Sequence, residues 1–141
     1  MTNTVLASCQ AENMKKELVL KTLKAARDRW HLPLGVIFHS DRGSQYTSAD
    51  VMEKVASYGW KQSFSAVGKP GDNAWSESFF SILKKEIVHW CFYPTREVAR
   101  QAIFEYIEVF YNRQRVQKRL GYLSPIQFLN TWNNPVLQCS A

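Results

Sequence analysis

LGVIFHS, residues 34–40, is a short continuous apolar run bounded by Pro33 and by the Asp41-Arg42-Gly43 turn. Such a run reads as a strand covered on both faces, which points to an α/β arrangement. Period-two alternation puts Ile37, His39 and Asp41 on one side of it. Upstream, Leu18, Leu20, Leu23 and Ala26 recur at helical spacing among lysines and arginines over residues 11–29, until His31, Leu32 and Pro33 break the pattern. Downstream, Thr47 or Ser48 caps a helix to Tyr58, Gly59 ends it, and WKQSFSA reads as a second strand.

Residues 66–73, with Gly68, Pro70 and Gly71, read as a mobile loop, with Asp72 or Asn73 placed to cap a helix over residues 74–89. One stripe of that helix holds Ser76, Phe80, Leu83 and Ile87, and the next holds Glu77, Ser81, Lys84 and Val88. Glu77 and Lys84 therefore differ by about 20° around the axis. Thr95 caps a further helix to residue 111, whose buried face is expected at Ala99, Ile103, Tyr106, Ile107 and Phe110. LSPIQF opens a last helix with a Ser124–Gln127 capping box, Pro125 at its first position and a Leu123–Phe128 staple.

A length of 141 residues, 45% of them hydrophobic, predicts one globular domain over residues 1–132 with a tail at 133–141. The formal charge of +6 favours polyanionic partners without naming one. Cys9, Cys91 and Cys139 are too scattered for a disulfide framework or a metal knot, and read as reduced thiols. No apolar run is long enough to span a bilayer, and the opening residues lack the order of a signal peptide, so a cytoplasmic protein with no membrane partner is expected.

Thirty-five residues separate Asp41, at the end of a strand, from Glu77, one turn into a helix. With "HSDRGSQY", "DNAWSESFFSILKKE" and "YNRQRVQKRLGYLSP" in that order, the chain from about residue 34 to 132 resembles the catalytic core of bacterial insertion-sequence transposases. These are DDE-type polynucleotidyl transferases with the ribonuclease-H-like fold of retroviral integrases. The resemblance implies that Asp41 and Glu77 are catalytic residues and two of three acidic ligands for Mg²⁺ or Mn²⁺. Hard cations take oxygen ligands, and a two-metal site clamps both oxygens of an in-line displacement. Lys84, on the same side of its helix as Glu77 and with Lys85 beside it, is placed to meet DNA phosphate, and Arg113, Arg115, Lys118 and Arg119 form a basic run that either follows the backbone of transposon-end or target DNA or is a solvated surface.

Two departures accompany the resemblance. Similar sequences carry a histidine where this chain reads Arg115-Val116-Gln117. The family's first aspartate lies on a strand upstream of the first helix, where only about ten residues stand here, enough for one strand at TNTVLAS. The expectation is a ribonuclease-H-like core with an incomplete sheet and C-terminal helices, a transposase fragment inactive alone for lack of its first ligand. The alternative is a non-catalytic module that binds DNA, an intact transposase or a second copy of itself through an unpaired sheet edge.

Plainer readings remain for neighbouring residues. His39 reads as a buried, hydrogen-bonded side chain rather than a ligand, Asp72 as a helix cap, and Trp75 and Trp90 as core or interface rather than base-stacking residues.

Overall fold

The computed structural model describes residues 2–67 and 70–133. The chain divides into two compact units, Cys9–His89 and Met1–Ser8 with Trp90–Ala141.

In the first unit α1 spans Lys16–Trp30, β1 Ile37–Ser40, α2 Ala49–Ser57, β2 Lys61–Phe64 and α3 Ala74–Leu83. The strands pair in parallel with Ile37 opposite Lys61 and Ser40 opposite Phe64, so the chain must cross over between them, and α2 is that crossover. Among the described residues the sheet has these two strands alone. Val19 and Leu23, one turn apart on α1, meet Val51 and Val55 of α2, and Tyr58 and Trp60 complete the buried cluster. Val36 and Phe38 pack against it from the strand segment. A Lys16–Asp50 ion pair at 2.6 Å also joins the two helices.

β1 is therefore covered on one face rather than two: Ile37 is 65% exposed and His39 is exposed, while Ser40 is buried. The apolar run reads as doubly buried because Ile37 is apolar, but the described chain brings no layer to that side. α1 ends at His31 in the left-handed region, whose N–H donates to the Arg27 carbonyl. Gly59, at φ +69°, makes the tight exit from α2, where its carbonyl accepts from Gly35 N–H at 2.8 Å.

In the second unit Thr95 caps α4 (Arg96–Glu105), its hydroxyl accepting from Val98 N–H at 3.3 Å. The helix continues as a π-turn over Tyr106–Tyr111. A π-turn holds one residue more than an α-turn, so the buried position after Ile107 moves from Phe110 to Tyr111. Phe110 is 40% exposed and Tyr111 is 7% exposed. Then α5, Pro125–Asn133, opens on the expected box: Gln127 Oε1 accepts from Ser124 N–H at 2.8 Å, and Ser124 Oγ from Gln127 N–H at 3.3 Å.

The opening segment does not add a strand to the sheet. It lies in the second unit, where Val5 exchanges two 2.9 Å hydrogen bonds with the Asn112 side chain, N–H to Oδ1 and Nδ2–H to carbonyl. Asn112 is 1% exposed and thus acts on Val5 as a neighbouring strand would. Cys9 and Cys91 are free thiols, while Cys139, Gly68 and the expected tail beyond Asn133 lie outside the described residues. No helix among the described residues is long and apolar enough to cross a membrane.

Candidate active site

Asp41 follows the last residue of β1 and is exposed. Its Oδ1 accepts from Gly43 N–H at 2.9 Å, which folds the carboxylate over the turn and leaves Oδ2 without a described partner. A Cβ on Gly43 would meet the Gln45 side chain at 2.7 Å and that same Oδ1 at 3.0 Å, so a side chain there would press on the Asp41 carboxylate. Behind the turn the Tyr46 phenol is pushed upward in pKa, first by burial and then by the negative charge of Asp41.

The turn is gripped from β2. Ser65 N–H donates to the Ser40 carbonyl at 2.9 Å, and Arg42 Nε–H donates to the Ser65 carbonyl at 3.2 Å. His39 is exposed rather than buried, because its face of the sheet is open. Both its ring nitrogens are nevertheless engaged, Nδ1 at 3.0 Å from Ser63 Oγ and Nε2 at 3.2 Å from Ser65 Oγ. These hydroxyls gave no signal in the sequence beyond their alternation along β2.

Glu77 lies in the first turn of α3, exposed, and its carboxylate has no hydrogen bond or ion pair to a described residue. A carboxylate there is favoured by the positive end of the helix dipole. Lys84 keeps α-helical backbone angles at the end of α3, so the helix is regular from Glu77 to this residue and both project on one side, about 10 Å apart along the axis. From Lys84 a π-turn runs to Val88, closed by His89 N–H on the Lys84 carbonyl at 2.8 Å. Lys84 and Lys85 are both exposed. Of the apolar stripe expected on this helix, Leu83 is buried and Phe80 is exposed, as are Trp75 and Trp90, so neither tryptophan is core.

Asp72 does not cap α3. It sits inside a 3₁₀ turn, Pro70–Asn73, with Asn73 at the cap position and making no side-chain cap bond. Its Oδ2 instead turns back to accept from Ala66 N–H at 3.0 Å.

Asp41, Glu77, Lys84 and Lys85 all belong to the Cys9–His89 unit. Arg113, Arg115, Lys118 and Arg119 belong to the other. There Gln117 and Leu123 form an antiparallel bridge around the turn Lys118–Leu120, with Leu120 buried at 2% exposure, Gly121 at φ +66°, and Lys118 and Arg119 exposed. Arg113 is exposed and Arg115 half-buried.

In donor type Asp41 and Glu77 fit a hard divalent cation: both offer carboxylate oxygens, one of them held in place and the others free. In number they do not complete a site, since no group of three or more acidic, histidine or cysteine residues that could hold a metal occurs among the described residues.

Two family profiles, each described as Integrase core domain, match residues 1–70 and 77–131. The chain belongs to the integrase core family. Among relatives of this integrase-core chain, the transposase for insertion sequence element IS904 of Lactococcus lactis is 39% identical over 118 residues, covering 84% of the chain and 47% of the relative. The IS600 uncharacterized 31 kDa protein of Shigella sonnei is 43% identical over 124 residues, covering 88% and 46%. Transposase InsF for insertion sequence IS3A of Escherichia coli K12 is 40% identical over 126 residues, covering 89% and 44%. The chain thus spans about half the length of these relatives. The catalytic core domain of BIV integrase superposes with a TM-score of 0.67 at 16% identity, over 96% of this chain and 84% of that one. That likeness establishes the ribonuclease-H-like fold of the integrase core.

Proposed function

We propose that this chain is the integrase-core portion of an insertion-sequence transposase, working on DNA in the cytoplasm through divalent-metal-dependent phosphodiester cleavage and strand transfer. The observation that carries the reading is Asp41 at the end of a parallel strand and Glu77 in the first turn of α3, two exposed carboxylates in one compact unit of an integrase-core chain.

In this reading Asp41 and Glu77 are the residues that would hold Mg²⁺ or Mn²⁺, the Asp41 Oδ1 being already engaged by Gly43 N–H. When bound, the cation activates the attacking oxygen and stabilises the leaving one. A water oxygen displaces the DNA 3′ oxygen at the transposon end; the freed 3′-hydroxyl then attacks a target phosphorus, and a second 3′ oxygen leaves. One P–O bond forms and one breaks in each step. Lys84 and Lys85 neutralise phosphate beside Glu77, and Arg113, Arg115, Lys118 and Arg119 give the second unit its own contacts to the DNA backbone.

Two carboxylates alone hold such a cation weakly, so the chain by itself is expected not to cleave DNA. Incubation with a transposon-end duplex in Mg²⁺ or Mn²⁺ tests this. No cleavage or joining is expected from the chain alone, and robust activity abolished by Glu77→Gln would overturn the two-ligand account. Loss of all cation binding in wild type would overturn the site assignment itself.

A second reading, a non-catalytic module that pairs with an intact transposase or a second copy, is favoured by the two-stranded sheet, whose outer edges are unpaired among the described residues. Analytical ultracentrifugation separates it from the first: a monomer at micromolar concentration that does not associate with a full-length relative ends it.

A further inference from the structure

The step Ser65-Ala66 makes bonds in two directions. Ser65 grips the turn that carries Asp41, through its N–H on the Ser40 carbonyl at 2.9 Å, its carbonyl on Arg42 Nε at 3.2 Å and its hydroxyl beside His39 Nε2 at 3.2 Å. The next N–H, that of Ala66, donates at 3.0 Å to Asp72 Oδ2, which stands two residues before α3. Glu77 follows Asp72 by five positions along a 3₁₀ turn and the first turn of α3. One short route of hydrogen bonds therefore runs from the Asp41 turn to the helix that bears Glu77. We propose that Asp72 is a positioning residue, which ties the entry of α3 to the Ser65-Ala66 step and so sets where Glu77 stands relative to Asp41.

The chemistry favours an acceptor at this position. At 3.0 Å the bond has the length of an ordinary N–H···O hydrogen bond, and what it requires of residue 72 is an acceptor oxygen on a side chain of this reach. Here it ties residue 66, just past β2, to residue 72, just before α3. Cation binding by two carboxylates on different elements depends on their separation, so a loosened α3 entry costs affinity even with both ligands intact. The inference rests on the proposed metal-binding role of Asp41 and Glu77, but the bond itself does not.

The test compares wild type with Asp72→Ala and Asp72→Asn in the whole chain. Amide hydrogen exchange is read at Ala66 and at residues 78–80, amides in the first half of α3 placed to bond within the helix. Tryptophan-sensitised Tb³⁺ luminescence, with Mg²⁺ as competitor, reads cation binding, Trp75 being two residues from Glu77. Asp72→Ala is expected to speed exchange at Ala66 and at residues 78–80 about tenfold, and to weaken Tb³⁺ binding about tenfold, the size of one lost hydrogen bond. Asp72→Asn retains an acceptor oxygen and is expected to stay within about twofold of wild type on both measures.

Unchanged exchange at residues 78–80 in Asp72→Ala overturns the proposal, because the bond would then not control α3. Equal damage by Asp72→Asn also overturns it, showing that the charge and not the acceptor matters, as for a direct ligand. If Val55 of the core loses protection in Asp72→Ala, the comparison passes to Asp72→Ser, whose shorter side chain cannot span to Ala66. Failure of the broader reading looks different: wild-type Tb³⁺ emission would be insensitive to Glu77→Gln, while the exchange result still decides the role of Asp72.

Discussion

Asp41 is held by one oxygen and open at the other, a state that follows from a single backbone donor two residues on. Its charge is felt by Tyr46, whose phenol is raised in pKa by burial and then by Asp41. Asp41→Asn removes the second cause, so Tyr46 should ionise at lower pH, as read by ultraviolet or NMR titration; an unmoved phenol would mean that the carboxylate does not face it. Saturating Mg²⁺ on wild type should act in the same direction by neutralising Asp41. Asn112 illustrates the opposite case, a polar side chain used for structure. Asn112→Ala strands the N–H and carbonyl of Val5 and should cost about 2 kcal/mol or more in urea unfolding. In the sequence Asn112 is visible as part of the "YN" motif, but nothing local shows that its partner is a backbone at the other end of the chain.

The helices and strands come largely from short-range patterns. Thr95, Ser124 and Gln127 cap where their spacing says, since a cap needs only donors within three residues. α1 begins at Lys16 and not near residue 11, for residues 11–15 supply no apolar face to hold a first turn against the core. The exit from α2 is set by Gly59, where a Cβ would lie 2.6 Å from Leu34 Cδ2. Gly59→Ala should therefore lower stability by about 1–2 kcal/mol from the backbone conformation, the exposed Leu34 side chain being free to move aside. Differential scanning calorimetry would show this as a lowered midpoint; an unchanged midpoint would mean that the turn relaxes freely. On α3 the apolar stripe is buried at Leu83 and exposed at Phe80, because an apolar pattern reports what a face can bury and not whether a partner is there.

The two compact units divide the proposed site residues, with Asp41, Glu77 and Lys84 in one and the basic turn in the other. Arg113 and Lys118 are exposed in the second unit, and the chain carries a net charge of +6, so DNA affinity should fall steeply with salt. Arg113→Ala with Lys118→Ala should weaken binding about equally across sequences and reduce the slope of log affinity against log salt by about 2. A slope unchanged in fluorescence anisotropy would remove these residues from the interface. The motif order, the strand before Asp41, the helix bearing Glu77 and Lys84, and the capped starts of α4 and α5 were legible from residues alone, since each depends on groups only a few positions apart. Other features needed the folded chain: Val5 bonding to Asn112 across 107 positions, one open face on β1, burial passing from Phe110 to Tyr111, and Asp72 turning back to Ala66. These depend on which surfaces meet and which donors are left over once they have met, and spacing along a chain carries no record of either.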